Sequence, residues 1–171
     1  ASLRDGRKLG GTMDNASIFV RQLPDVPPSD SNIQAMDFVV NGTKVVLVYE
    51  VAGNHEWVDQ HVCVEFHGVR KVVGGLPNDE AFQNHPLYKH GLEYYGDQED
   101  VNSPWIDEQL RIADRDGKVS ESRERELRHF VFALKEDTVE VLAESYKVHG
   151  PFVNLGDARR KAASLAWGVP F

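Results

Sequence analysis

A chain of 171 residues with 41% hydrophobic and 27% charged side chains has the usage of a folded globular protein, and its length suits one core rather than two. Its 27 acidic and 19 basic side chains give a formal charge of −8, which sets it against phosphate backbones and anionic bilayers and favours basic proteins or cationic ligands. The single cysteine, Cys63, excludes an intramolecular disulfide; no run approaches the roughly 20 apolar residues of a spanning helix, and the N-terminus lacks a signal-peptide core. A soluble cytoplasmic protein, with no nucleic-acid or membrane partner, is the expectation.

The first 32 residues read as an extended segment. Gly6, Gly10 and Gly11 punctuate it, the run from Leu23 to Ser31 holds three prolines that fix φ and remove donors, and Arg4, Arg7 and Lys8 read as a solvated tail. Within it only Ser17 to Leu23 has strand character, with Ile18, Phe19 and Val20 docking as an edge strand. A single antiparallel domain is expected over 33–171. Its clearest local signal is Val40-Asn41-Gly42-Thr43, where Asn-Gly supplies the positive-φ pair of a type I′ hairpin turn. That turn pairs Val40 with Thr43, Phe38 with Val45 and Met36 with Leu47, and sends Met36, Phe38, Val45, Leu47, Tyr49 and Val51 to one face.

A third strand is expected from Trp57 to Phe66 and a short fourth over Val69–Val73, ended by Gly74-Gly75-Leu76-Pro77. The pattern then turns helical or irregular over about 78–128, a helical insertion. Asn78 opens a helix that Pro86 stops, and Ser103 caps a better one with Pro104 at its first position. A turn at Asp116-Gly117 and a charged helix over Glu121–Arg128 follow. The calcium-loop likeness at Asp116-Gly117 fails, because Ile112 and Arg123 would fall at the first and last ligand positions. Period two returns in a second hairpin that opposes Leu134 with Val139 and Phe132 with Val141, and a C-terminal helix capped by Asp157 runs to Trp167 before Gly168. The whole reads as mainly β (α+β): an antiparallel sandwich or half-barrel of about six strands with a helical insertion and a C-terminal helix.

Two stretches attract chemistry. In Gln60–His67 the alternation sends Val62, Val64 and Phe66 to one side and His61, Cys63, Glu65 and His67 to the other, residue types suited to proton transfer and nucleophilic attack. Same-side residues on a strand stand about 7 Å apart, so one metal cannot use all four, and no Cys-x-x-Cys or His-Glu-x-x-His spacing recruits His55, His85, His90, His129 or His149. No metal or cofactor is expected. The second stretch, His85 to Asp100, packs Tyr88, His90, Tyr94 and Tyr95 beside Asp97, Glu99 and Asp100 in what reads as one acidic, tyrosine-rich loop. Tyrosine offers large contact area at small entropic cost, which suits a non-catalytic binding or inhibitory domain gripping a basic protein partner. The alternative is a small enzyme or small-molecule-binding barrel that uses the polar side of the 60–67 strand. A binder predicts that Tyr88, Tyr94, Tyr95 and Asp97 to Asp100 form one exposed patch with no deep pocket; the alternative predicts a cavity within which His61, Cys63 or Glu65 meets a second histidine or tyrosine at hydrogen-bonding range.

Overall fold

The computed structural model describes residues 17–29, 36–53, 55–115 and 126–170. They form nine strands: β1 (Phe19–Gln22), β2 (Asp37–Asn41), β3 (Lys44–Glu50), β4 (His61–His67), β5 (Lys71–Gly75), β6 (Asp97–Val101), β7 (Arg128–Ala133), β8 (Thr138–Ala143) and β9 (Ser145–Phe152). Two helices, α1 (Pro104–Arg115) and α2 (Leu155–Trp167), accompany them. The strands make two open antiparallel sheets, β1-β6-β7-β8-β5 and β2-β3-β4-β9. The mostly antiparallel β fold with a mid-chain helix and a C-terminal helix is therefore the one the alternation implies. Arg4, Arg7, Lys8 and the Asp116-Gly117 turn lie outside the described residues, as does most of the helix expected over Glu121–Arg128.

The core sits between the sheets because period-two alternation delivers one apolar row from each strand to the same side. Val45, Leu47, Tyr49 and Val51 meet Val62, Val64 and Phe66 from one sheet and Phe130, Phe132, Val139, Val141 and Ala143 from the other. Phe66 is central, with ring centroids 5.4 Å from Phe130 and 5.6 Å from Phe132. A second apolar layer lies outside the four-stranded sheet, where Ala158, Ala162 and Ala166 of α2 press on Val46, Val48 and Cys63. Alanines at this spacing on one helix face let α2 approach the sheet closely.

The faces agree with expectation but the registers do not. In the first hairpin Phe38 pairs with Leu47, Val40 with Val45 and Asn41 with Lys44, so the loop is Gly42-Thr43 rather than Asn41-Gly42. Gly42 takes φ +59° as the first loop residue, the glycine-first arrangement of a II′ turn. Asn41 instead closes the strand and donates Nδ2–H to the Ala166 carbonyl at 2.7 Å. In the second hairpin Phe132 opposes Val139 and Phe130 opposes Val141, with the loop closed by Leu134 N–H to the Asp137 carbonyl. Both displacements preserve parity, so the inward rows stay inward.

Three elements depart further. The third strand begins at His61, because Trp57 lies in a turn held by Gln60 N–H to its carbonyl. The run read as one strand to Tyr146 is broken at Glu144, whose N–H bonds the His67 carbonyl; β8 stays in one sheet and β9 joins the other beside β4. Asn154, not Asp157, caps α2, its Oδ1 accepting the Asp157 N–H at 2.9 Å. The Ser103 cap and Pro104 start of α1 stand as expected, with Trp105 N–H on Ser103 Oγ at 3.2 Å.

Candidate functional site

The segment between β5 and β6 is built onto the outer face of the five-stranded sheet. A 3₁₀ turn over Asp79–Asn84 starts at Asn78, whose side chain accepts the Ala81 N–H, and a second over Tyr88–His90 ends at Gly91 with φ 97°. Phe82, Leu87 and Leu92 are buried on Val131 and Ala133 of β7. Buried Gln98 grips the backbone of Glu93 twice, accepting its N–H at 3.0 Å and donating to its carbonyl at 2.9 Å. His85 Nδ1 accepts the Leu87 N–H at 3.2 Å, and Asp79 N–H bonds the Lys135 carbonyl. Apolar anchors and backbone clamps together give this irregular segment a defined shape.

On these anchors stands a group of four rings. Phe82 packs against Tyr94 at 4.4 Å and against Tyr88 at 6.0 Å; Tyr88 and Tyr94 are 6.2 Å apart at 78°, and Tyr95 follows at 6.3 Å from Tyr94. Phe82 is the buried base, whereas Tyr88 and Tyr94 are each 42% exposed. The Tyr95 hydroxyl donates to Asp79 at 2.8 Å, a bond that raises its pKa because ionising the phenol would set two negative charges together. Glu80, Glu93 and Lys89 are exposed around the rings, and His90 is half-buried.

The acidic run expected beside the tyrosines is elsewhere. Asp97, Gln98, Glu99 and Asp100 form β6 between β1 and β7 and are buried, so they add no charge to the tyrosine surface. Each acid has its own setting. Glu99 points between the sheets and binds both Arg21 and Arg128 at 2.7 Å; burial works to raise its pKa, but the two guanidiniums outweigh burial and lower it. Asp97 also faces inward, with no hydrogen-bond partner on either oxygen, and burial pushes its pKa well up. Asp100 faces outward, toward His129.

Around His129 the sheet carries a polar group that spacing did not reveal. Its Nδ1 lies 2.7 Å from Ser103 Oγ and 3.3 Å from Asp100 Oδ2, and its Nε2 lies 2.9 Å from Glu140 Oε2. The contacts to the two carboxylates are ion pairs by distance without aligned hydrogen bonds. His85 approaches Glu140 Oε1 at 3.4 Å. Burial disfavours the imidazolium, but Asp100 and Glu140 outweigh it and raise the His129 pKa; in turn burial of Glu140 is overcome by His129 and His85, which hold it at about 2. The hydroxyl, imidazole and carboxylate series resembles a nucleophile relay. Ser103 and His129 are only 1% and 2% exposed, however, and the Trp105 ring stacks on His129 at 4.2 Å, so no substrate reaches the hydroxyl.

The polar side of β4 divides in two. Cys63 is buried under α2 with its thiol on the Ala158 carbonyl, and burial pushes its pKa up to about 12, which removes it as a nucleophile. His61 lies 3.6 Å from Glu50, and its Nδ1 has no hydrogen-bond partner. Glu65 collects His149 Nε2 at 2.9 Å and His67 Nε2 at 3.5 Å on one oxygen and Lys44 Nζ at 3.5 Å on the other. Burial favours its protonation, but the His149 bond and the charges of His67 and Lys44 outweigh burial and lower its pKa. Lys44 also donates to the Leu165 carbonyl at the end of α2. Among the described residues, no group of three or more His, Cys, Asp and Glu is arranged to hold a metal ion, and no helix is long and apolar enough to cross a membrane.

Spacing thus located the tyrosines and Glu65 but missed Phe82 as their base, His149 as the Glu65 partner and the Asp100, His129 and Glu140 group. Only the alternation of His129 with Phe130 hinted that an imidazole faced away from the core. No protein-family model, curated protein or solved structure matches the chain.

Proposed function

We propose that the protein is a non-catalytic binding domain that engages a protein partner through Tyr88, Tyr94 and Tyr95. The observation that carries this reading is the ring group itself: two part-exposed tyrosines seated on buried Phe82, in a segment clamped by Gln98 and anchored by Leu87 and Leu92. Such a surface offers aromatic contact without the entropic cost of ordering a loop. With Asp97, Glu99 and Asp100 buried, only the aromatic half of the expected tyrosine and acid patch stands, and a basic partner is favoured by the net charge of −8 alone.

A second reading, a small-molecule or catalytic site on β4, draws on the contact between Glu65 and His149. Affinity isolation from the native source separates the two. Wild type, Tyr88→Ala with Glu80→Lys, and His149→Ala serve as baits, with thermal melts confirming that each folds. The binding reading expects the Tyr88 variant to lose the partner, by roughly 30-fold in Kd if Tyr88 is a hot spot worth about 2 kcal/mol. His149→Ala should retain it. Loss with His149→Ala and retention with the Tyr88 variant would overturn the reading.

A further inference from the structure

Helix α1 is attached to the sheet in an unusual way. None of its described residues is fully buried, and Ile112 is about half exposed, so little apolar area holds it. Among the described residues its polar and ring contacts to the sheet centre on the first turn: Ser103, the cap, meets His129 Nδ1, and the Trp105 ring lies flat on the imidazole at an interplanar angle of 13°. Lys71 of β5 also lies over the Trp105 ring, 4.0 Å from its centre, and pairs with Glu108 of α1 at 3.3 Å. The indole therefore has two ring partners, and both carry positive charge when His129 is protonated.

The charged groups facing His129 are Asp100 from β6 and Glu140 from β8, with His85 behind Glu140 and Lys71 beyond the indole. Asp100 is 0% exposed and neither oxygen has an aligned hydrogen bond, so the imidazolium is its charge partner. Neutralising His129 leaves that carboxylate buried without compensation, a strongly unfavourable state. It also weakens the stack on Trp105. Relief is available locally: moving the first turn of α1 admits water to Asp100, whereas the strands on either side are fixed by sheet hydrogen bonds and the core.

We propose that His129 is a proton-operated latch for α1, closed when the imidazolium bridges Asp100 and Glu140 beneath Ser103 and Trp105, and opened when the proton leaves. Opening uncovers His129 and the Asp100 carboxylate beside it on the outer sheet face. The His129 pKa is raised, so the closed state is complete at acidic pH and is lost as pH climbs through a value above the ordinary histidine figure of 6.5.

Hydrogen exchange of the 104–115 peptide in the unmodified protein, expressed as protection factors between about pH 5 and 9, tests this directly. Protection should fall by up to roughly tenfold per pH unit across one transition, the limit for a single proton, while peptides from β3 and β4 stay protected. In a Trp57→Phe, Trp167→Phe background, Trp105 emission reports the same event, because a stacked imidazolium quenches indole and release restores the signal. Asp100→Asn should move both midpoints down in pH, and His129→Gln should leave α1 weakly protected throughout. Trp105 emission that titrates while the 104–115 protection factors stay constant would overturn the latch, as would a transition shared with the core strands.

Discussion

Replacing Asp97 by leucine should stabilise the protein, against the usual direction of core substitutions. Asp97 lies opposite Phe132 in the β6 and β7 pairing, on the face that looks between the sheets, and neither carboxyl oxygen is bonded. A buried polar group left unsatisfied costs about 1–3 kcal/mol, and leucine removes that penalty while adding an apolar side chain to the layer of Tyr49 and Phe132. Some of the gain is lost to repacking, so a net of about 2 kcal/mol is expected, or roughly 4–8 °C in Tm for a domain of this size. The gain depends on pH. Because burial raises the folded-state pKa, the folded chain keeps this proton in a range where the unfolded chain has released it. Its contribution is thus fully present below about pH 4 and is lost as pH rises through the raised value. Urea and thermal melts at several pH values should therefore give a difference between Asp97→Leu and wild type that widens with pH. Asp97→Asn, which cannot titrate but stays polar, should flatten the pH dependence with a smaller gain. A leucine variant that is less stable than wild type, or a gain that is constant with pH, would refute the reasoning.

Two other outcomes follow from local contacts. Cys63 should resist alkylation by iodoacetamide in the folded protein at mildly alkaline pH and react promptly in urea, because its thiol is buried with a pKa of about 12; mass spectrometry of the native sample would count against this if it found rapid modification. Asn154→Ala should lower stability by about 1 kcal/mol through loss of the α2 cap, with Asp157→Ala costing less, since the Asp157 carboxylate supplies a first-turn charge and exposed contacts to Asn154 Nδ2 and Arg160 but not the cap acceptor. Equal losses in paired melts would contradict the cap assignment.

The inward rows were legible because parity survives a shifted turn. Met36, Phe38, Val45 and Leu47 share a face whether the hairpin turns at Asn41-Gly42 or at Gly42-Thr43. Register was not, since it depended on whether Gly42 or Asn41 took the first positive φ, and a contact with α2 far along the chain holds Asn41. Strand β6 was hidden for a different reason. Asp97-Gln98-Glu99-Asp100 has the composition of a solvated loop, and its burial rests on Arg21, Arg128 and His129, which only the folded topology brings near. The move from β8 to β9 was equally silent, because alternation continues through Glu144 while the chain changes sheets. At the candidate site, the tyrosines could be read from residue type alone. Their base, Phe82, required knowing that the 3₁₀ turn folds back onto β7.

The placement of β9 next to β4 has a bearing on how the chain is made. Glu65 and His149 are 84 residues apart, so a ribosome adding about 5–20 residues per second needs roughly 4–17 s between the two. During that interval β4 has an open edge of valines and phenylalanine, and the face later covered by α2 is bare. A nascent β2, β3 and β4 meander is thus the segment most in need of a chaperone or of slow, protected emergence. His61, Glu65 and His67 place polar and charged side chains on one side of that waiting strand, where they oppose edge-to-edge pairing with another chain.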